Sequence, residues 1–385
     1  MALSHSPSII TNGLVYYHDM GNTLKSWKGA PAVNLFGTNL SATNFQKTLS
    51  GITYNGYRAV GIANDNPRTY LYIGSLTVAA STFYTLSCVY WSSNNIVDDV
   101  YLYFPETGWP EGSNYIQPFS TQSVTRNGSF SITDLGGGWK YCVGTFQTLA
   151  TTTTLGQLFF DVDVAGVEVF IANIQLEQNT FATPYVAGTR SNTQAILDLT
   201  GKRTVTATSL IYASDNTFSF NGSTTYITAP NTELFHGTNG FSYSIWANWA
   251  SLPSLGTIFE NGLYTAGILI RFQSNAIAVY AEYSATTYQS TMAFTPTIGL
   301  WYNLVLTREG NVLYLYANGV QIGTTAFGTS INIQPSTNLL YIGMSQHSAG
   351  QCFNGKIAIA SIYNRTLSAA EVLQNYNALR GRYGL

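Results

Sequence analysis

A run of apolar segments joined by tight turns, residues 301–325, constrains the fold of this chain more than any other part of its sequence. It contains two short turns, Gly310-Asn311 and Asn318-Gly319. Asn-Gly tolerates the positive φ that a two-residue hairpin demands. The strands predicted on either side of these turns are Tyr302–Thr307, Val312–Ala317 and Val320–Thr325. Two chain reversals within so short a stretch predict an antiparallel sheet.

The C-terminal segment changes character after one more predicted strand, Ile357–Tyr363. Ser368 and Glu371 have the spacing of a capping box, which opens a helix. Val372, Tyr376 and Leu379 then fall on one face of that helix. We therefore predict one short helix at the end of a β-rich chain.

Three motifs in this order resemble the laminin G-like branch of the concanavalin A-like lectins. They are the Trp-led strand before a hairpin ending in Tyr-x-Asn-Gly (301–319), the Ile-Gly before Phe-Asn-Gly-Lys-Ile (342–357), and YNRTLSAAEV (363–372). The resemblance implies a jelly-roll sandwich with a short C-terminal helix.

The N-terminal segment has the look of this family's opening strand, since Gly13–Ser26 is an apolar run with a Gly-Asn turn, followed by Trp27. In the family, a further motif follows this Trp directly. Its nearest match here is Asp198-Leu199-Thr200-Gly201, which lies far along the chain. An inserted domain explains this gap, because sandwich loops tolerate insertions. The predicted division is an N-terminal arm (1–12), a sandwich (13–30 plus 190–385) and an inserted unit (31–189). Consecutive units are the alternative.

The inserted stretch is itself rich in predicted strands separated by polar turns. These strands are Tyr57–Ala63, Thr69–Ile73, Tyr84–Trp91, Val100–Phe104, Gly138–Thr145, Gln157–Val164 and Val167–Ile174. Its opening Asn34-Leu35 and its closing QLEQNTFATPY (175–185) resemble carbohydrate-binding-module-like jelly rolls of bacteriophage tail and particle proteins. The predicted fold class is therefore all-β, with two jelly-roll or β-sandwich domains.

The composition excludes several classes of function. Charged residues make up 9% of the chain, against roughly 25% in an average domain. The net charge of −2 gives no basic stripe for nucleic acid. No apolar run is long enough to insert into a membrane, and no secretory signal is expected. Cys88, Cys142 and Cys352 are scattered, which favours buried small hydrophobes over a disulfide framework or a zinc site.

Catalytic motifs are missing from the sequence, so no enzyme activity is predicted. Glucanases of the related fold place two carboxylates at alternate positions of one strand. The C-terminal acidic residues instead stand apart, at Glu233, Glu260, Glu282, Glu309 and Glu371. Asp161 and Asp163, with Glu168 across a turn, form either a solvated strand face or a cation site. The four histidines are interpreted as surface or turn residues.

Glycan binding is easier to support, because aromatic rings stack on sugars while amides and hydroxyls bind the ring oxygens. The candidate glycan-binding residues are Trp109, Trp91, Tyr264, Tyr283 and Tyr288. Trp246 and Trp301 lie within apolar strands and are predicted to be in the core. A Trp under its own loop remains the alternative for Trp109 and Trp91.

Calcium is the cation that the resemblance implies, held by loop oxygens. The family's acidic ligands are replaced by Asn and Thr at residues 220–226, which argues against a strong site there. Asp19 and Asn22 are left as candidate ligands. No other cofactor is predicted.

The combined features predict a structural protein of a bacteriophage particle, made in the host cytoplasm and located in the virion. It would be a tail fibre, a baseplate appendage or a capsid decoration. Its expected partners are other virion proteins and a bacterial surface glycan, and the family suggests a homo-oligomer such as a trimer. A polysaccharide depolymerase is the enzymatic alternative, and a purely architectural protein without a ligand is the third.

Overall fold

The computed structural model describes residues 8–22, 26, 28, 32–36, 45–61, 69–95, 100–103, 115–120, 127–160, 162, 164–213, 217–231, 240–262, 266–283, 286–327, 331–333, 336, 338–347 and 350–385. The chain folds into two compact units. The first contains Met1–Ala30 and Ser191–Leu385, and the second contains Pro31–Arg190. Among the described residues, no helix is long and apolar enough to cross a membrane.

The first unit is a sandwich of two antiparallel sheets, which we name the back sheet and the front sheet. In sheet order, the back sheet contains β15 (Ile211–Ala213), β16 (Thr217–Asn221), β27 (Asn354–Tyr363), β18 (Phe241–Trp249), β23 (Trp301–Glu309), β24 (Val312–Ala317) and β25 (Val320–Ala326), with β1 (Leu14–Asp19) also paired to β27. The front sheet contains β14 (Thr206–Thr208), β17 (Tyr226–Ala229), β26 (Leu340–Ile342), β19 (Leu255–Glu260), β20 (Gly267–Gln273), β21 (Ala276–Tyr283) and β22 (Thr286–Ala293).

The predicted hairpins are confirmed in β23, β24 and β25. Asn318 and Gly319 have φ of 51° and 79°, the left-handed backbone that a two-residue turn between twisted strands requires. Strand alternation turns every second side chain of both sheets inward. Trp249, Phe294 and Phe353 meet there edge-to-face, with ring centroids 5.4 to 5.7 Å apart around Trp249. The core of the first unit therefore lies between its two sheets.

The predicted helix is also confirmed, as α1 (Ala369–Leu379). The Ser368 side chain accepts a hydrogen bond from the Glu371 backbone N–H, and the Glu371 carboxylate accepts one from the Ser368 N–H. Val372 and Leu379 are buried against the outer face of the back sheet. Trp246 is buried there as predicted, whereas Trp301 is only half-buried.

Strand β1 carries a buried polar network that the sequence did not reveal. The prediction of a surface or turn histidine is wrong for His18, which is fully buried beside Tyr16, with 2.8 Å between its Nδ1 and the tyrosine hydroxyl. Burial lowers the pKa of His18 to about 3. The reason is that β1 is covered on both faces, as its nearly continuous burial shows.

Asp19, one of the two candidate cation ligands, lies in an ion pair with Arg382. Arg382 donates to both oxygens of its buried carboxylate, at 2.9 and 2.7 Å, and the Tyr17 hydroxyl donates to Oδ2. Asn22 contributes a backbone N–H to the Asp19 carbonyl. Because a cation already compensates this carboxylate, Asp19 ties the C-terminal segment to β1.

The second unit also contains two sheets, which we name the long sheet and the short sheet. In sheet order, the long sheet contains β3 (Phe45–Leu49), β4 (Ile52–Val60), β12 (Glu168–Glu177), β6 (Phe83–Ser92), β10 (Trp139–Gln147) and β9 (Phe130–Gly136). The short sheet contains β5 (Thr69–Thr77), β11 (Thr154–Phe160), β7 (Val100–Tyr103) and β8 (Tyr115–Ile116), and β2 (Ala32–Val33) pairs separately with β13 (Thr189–Arg190). The all-β fold class is confirmed.

The closing motif of the second unit forms a buried network. The Glu177 carboxylate accepts hydrogen bonds from the Thr183 backbone N–H, the Thr183 hydroxyl and the Gln175 amide. Arg190 donates to the Thr183 hydroxyl at 2.9 Å. Asn34 from the opening motif binds Ile174 and Leu176 through its side-chain amide. Both motifs therefore fasten the ends of the unit to β12, which is a structural role.

Candidate functional site

One row of side chains crosses the outer face of the front sheet, and we name it the front-face row. Strand register aligns Tyr341, Glu260, Leu269, Tyr280 and Gln289 on β26, β19, β20, β21 and β22. The flanking residues on these strands belong largely to the core between the sheets. Because strand side chains alternate, the row faces away from that core.

The row combines aromatic and polar groups at a saccharide's scale. Tyr341 and Tyr280 are half-buried, and Gln289 is exposed. Neighbouring strands lie about 4.8 Å apart, so these two tyrosines are separated by about 14 Å. Tyr226 flanks Tyr341, with 5.7 Å between the ring centroids. Two half-buried rings, one of them beside the exposed Gln289, are typical of a ligand-binding surface.

Glu260 is the central polar group of the row. Its side chain is 0% exposed although it points away from the core, so the sheet is covered at this point. His347 contributes to the cover, with its Nδ1 2.7 Å from Glu260 Oε1. Within the described part of the chain, Glu260 Oε2 has no hydrogen-bond partner. Burial and the nearby Tyr226 and Glu260 raise the pKa of Tyr341.

Arg271 holds the opposite end of the row in place. Its guanidinium donates to Gln273 Oε1, Gln351 Oε1 and the Tyr280 hydroxyl, at 2.9, 2.6 and 2.7 Å. It also lies 4.5 Å from the centroid of the Tyr280 ring. The ring orientation is therefore fixed by a planar cation, and the amide groups of both glutamines line the same patch.

A second buried carboxyl group lies on the same face. Glu282 follows Tyr280 by two residues on β21, and its side chain is buried. The Thr287 hydroxyl donates to Glu282 Oε1 at 2.6 Å, while Oε2 has no partner among the described residues. Glu260 and Glu282, which stand apart in the sequence, thus share one sheet face with β20 between them.

A separate groove of about 230 Å³ lies in the first unit where α1 meets the back sheet. It is lined by Thr307, Glu309, Tyr314, Tyr316, Thr366, Leu367, Ser368 and Ala369. Tyr316 is almost fully buried, which leaves Tyr314 as the half-buried ring of this groove. The groove is smaller than the roughly 300–1,000 Å³ of most ligand pockets.

The second unit has an aromatic outer face on its long sheet, where the predicted Trp91 lies. Lys47 Nζ lies 3.3 Å from the Trp91 ring centroid, and Trp91 Nε1 donates to the Gly137 carbonyl at 2.9 Å. Trp139 is buried between Tyr54 and Phe170. The Trp91 ring is thus engaged by a cation and by the turn between β9 and β10.

Of the other four predicted glycan-binding residues, Tyr288 is the one whose side chain is described. Trp109 and Tyr264 lie outside the described residues, as does the side chain of Tyr283 at the end of β21. Tyr288 packs against the core of the first unit from the opposite face of β22. Their role in glycan binding stays a prediction.

The predicted cation positions contain no cluster of ligands in the described part of the chain. There, no group of three or more His, Cys, Asp or Glu side chains is arranged around one point. Asn221 Oδ1, in the loop where the family has acidic ligands, accepts hydrogen bonds from the backbone N–H groups of Ser223, Thr224 and Thr225. Asp161 and Asp163 lie outside the described residues. The side-chain amide of Asn221 thus holds this loop together through hydrogen bonds to its backbone.

Sequence reasoning missed most of the front-face row, because its residues come from strands distant along the chain. The alternation of apolar with polar residues in Ile270–Gln273 and Val279–Glu282 is the available signal. That pattern indicates which side chains face outward, but it does not give the register between strands.

Comparison with known proteins supports the same fold. Residues 221–373 match the family model described as the concanavalin A-like lectin/glucanases superfamily, of the laminin G type. The matched stretch lies in the first unit and includes every residue of the front-face row. No curated protein matches the chain in sequence.

Solved structures resemble parts of the chain. The binding domain of botulinum neurotoxin serotype G is 20% identical, with a TM-score of 0.41, over 48% of this chain and 48% of its own. Domain 4 of AbnA, a GH43 extracellular arabinanase from Geobacillus stearothermophilus solved with arabinotriose, is 17% identical, with a TM-score of 0.40, over 48% of this chain and 93% of its own. The chain spans about half the length of the neurotoxin structures that it matches.

Proposed function

We propose that this chain is a non-enzymatic carbohydrate-binding protein, and that the front-face row binds the glycan. The observation that carries the proposal is that Tyr341, Glu260 and Tyr280 lie in one register row of the front sheet, facing away from the core. Tyrosine rings offer apolar faces to sugar C–H groups, while Gln289 and Gln273 offer hydrogen bonds to hydroxyls. The match to a lectin and glucanase superfamily supports this class of ligand.

The wider role that we propose is a structural component of a bacteriophage particle, in the tail or on the capsid surface. The support is the resemblance of residues 175–185 to jelly rolls of such particles, together with the 9% charged content. Many copies on one particle raise the avidity of weak sugar contacts by several orders of magnitude. A homo-oligomer, such as a trimer, would present the row repeatedly to a bacterial surface glycan.

The test is a binding assay of the purified chain against a glycan array and extracted bacterial surface polysaccharides. We expect saturable binding that Tyr341→Ala weakens and Trp109→Ala leaves unchanged. If Trp109→Ala loses binding and Tyr341→Ala does not, the glycan site lies in the second unit instead. Absence of binding to every saccharide, by a chain that sediments as a defined oligomer, would contradict the proposal and favour a purely architectural role.

A glycoside hydrolase is the second candidate function, favoured by Glu260 and Glu282. Both are buried carboxyl groups on one outward face, each with one unpartnered oxygen among the described residues. Glycoside hydrolysis needs a pair of carboxyl groups flanking one bond. Reducing ends accumulating from a bound polysaccharide, abolished by Glu260→Gln and by Glu282→Gln, would replace the lectin proposal with a depolymerase.

A further inference from the structure

Two of the three cysteines face each other across the centre of the long sheet. Cys88 on β6 and Cys142 on β10 are directly paired in the strand register. Both are free thiols with 0% exposure, and both belong to the core of the second unit. The expectation of small buried hydrophobes is confirmed for each residue separately, but the sequence did not reveal that they are neighbours.

The pairing meets the geometric requirement of a disulfide. Directly opposite residues in antiparallel strands have Cα atoms about 4.5 to 5.5 Å apart. Disulfide-bonded cysteines usually have Cα atoms about 4.4 to 6.8 Å apart. Because the two residues are directly opposite, their side chains project from the same face of the long sheet as neighbours.

The third cysteine provides an internal control. Cys352 lies in the first unit, where its Sγ is 3.2 Å from the Ser223 carbonyl and its thiol donates to that oxygen. It is also buried, so burial alone does not distinguish the three. Cys88 and Cys142 differ from Cys352 because each of them lies directly opposite another cysteine.

We propose that Cys88 and Cys142 form a cross-strand disulfide when the chain folds in the presence of a disulfide oxidant. With oxidised glutathione, the thiolate of one cysteine attacks a glutathione sulfur and releases one glutathione thiolate. The second cysteine loses its proton and attacks the mixed disulfide, which forms the Cys88–Cys142 bond and releases the second glutathione. The two electrons reduce one oxidised glutathione to two thiols.

Burial of both cysteines in the core of the folded unit determines when the disulfide can form. Burial raises the pKa of the Cys88 thiol, and the hydrogen bond to Cys142 raises it further. Since the thiolate is the reactive species, exchange is slow once the core has closed. The bond is therefore expected to form during folding, and to resist reductants afterwards for the same reason.

The test uses the wild-type chain and needs no substitution. The chain is unfolded, refolded with a mixture of reduced and oxidised glutathione, unfolded again and alkylated. We expect an intact mass with one alkylated cysteine, and a peptide map that links residues 88 and 142 while Cys352 carries the alkyl group. Alkylation of all three cysteines, a glutathione adduct left in place of the bond, or a link that includes Cys352 would overturn the proposal.

A thermal melt provides an independent readout. The bond closes a long loop between two central strands, so the melting midpoint of the second unit should rise by roughly 10 °C over the reduced chain. Cys352→Ala should keep this difference, and Cys142→Ala should lose it. If Cys142→Ala fails to fold, the wild-type peptide map still decides. A linked wild-type chain that melts at the reduced midpoint would contradict a stabilising role.

Discussion

The two outer faces of the first unit use aromatic residues in opposite ways. On the back sheet, Trp246 stacks on Tyr376 and Tyr383, with ring centroids 5.8 and 4.4 Å apart, and is buried by α1 and the turn that follows it. On the front sheet, Tyr341 and Tyr280 are half-buried and contact polar neighbours. Aromatic content alone therefore does not identify a binding surface. What matters is whether the chain covers its own rings.

The long sheet of the second unit gives an intermediate case. Trp91 is half-buried like the front-face tyrosines, and Lys47 lies over its ring as Arg271 lies over that of Tyr280. Lys47 in turn is 3.5 Å from Glu168. The ring, the cation and the carboxylate satisfy one another, whereas Glu260 and Glu282 each have an oxygen without a partner among the described residues.

The largest expected effect comes from the covered face. Trp246→Ala removes a fully buried ring and its stacking partners, and should lower the free energy of unfolding by about 3–5 kcal/mol. Denaturant titration measures this loss. Sugar affinity per folded molecule should not change, because the back face does not contact the glycan. A folded Trp246→Ala chain with weakened binding would contradict the assignment of a structural role to the back face and a binding role to the front face.

The next largest effect is expected at the ion pair that anchors the same covered face. Asp19→Asn leaves Arg382 without its carboxylate and should cost about 2–3 kcal/mol of unfolding free energy. Glu309→Gln, at an exposed position on the same sheet, is the control and should change stability by about 0.5 kcal/mol or less. Equal losses in the two variants would refute the anchoring role of Asp19.

On the front sheet, a substitution beside the half-buried tyrosines should affect binding more than folding. Arg271→Ala releases the Tyr280 ring and both glutamine amides, so the affinity for the bound glycan should fall about tenfold. Arg271→Lys keeps the charge but loses the planar fork, and should recover little of that affinity. Full recovery by lysine would show that charge rather than ring orientation matters. Titration calorimetry of all three chains makes this comparison.

The smallest expected effect concerns the cap of the covering helix. Hydrogen bonding to Arg365, offset in part by burial, holds the pKa of Glu371 at about 2, below its ordinary 4.5. The ionised carboxylate therefore stabilises the fold above pH 4.5, and this contribution is lost as the pH falls through about 2.

Glu371→Gln should accordingly be less stable than the wild type by about 1 kcal/mol at pH 7, since the pair is partly solvent-exposed. The two unfolding curves should converge as the pH falls from 4.5 toward 2. Ser368→Ala removes the uncharged side chain of the same cap. Its loss in free energy of unfolding, relative to the wild type, should therefore persist as the pH falls. A Glu371→Gln deficit that does not depend on pH would contradict the pairing.

Local signals allowed much of the fold to be predicted. The Asn318-Gly319 turn and the Ser368 capping box depend on residues within a few positions of each other, and both are confirmed. Strand β9 was missed because each of its residues is exposed, so no alternation between buried and exposed positions marks it. The burial of His18 was missed because the segments that cover β1 come from distant parts of the chain.

The candidate site was harder to predict because it depends on register between strands. Glu260 and Glu282 have no shared motif, and Tyr341 lies far beyond both in sequence. The pairings of β26 with β19, of β19 with β20 and of β20 with β21 place them on one face. Cys88 and Cys142 are a further example, since their proximity follows from the register of β6 with β10.

The most direct test of a glycan site on the front face is a calorimetric titration with a saccharide that the wild-type chain binds. It compares the wild type with Tyr341→Ala on the front face and Tyr314→Ala in the groove beside α1, two half-buried tyrosines of one unit. We predict that Tyr341→Ala weakens binding at least tenfold and that Tyr314→Ala keeps the wild-type affinity. Unchanged binding in Tyr341→Ala, or loss in Tyr314→Ala alone, would contradict the account.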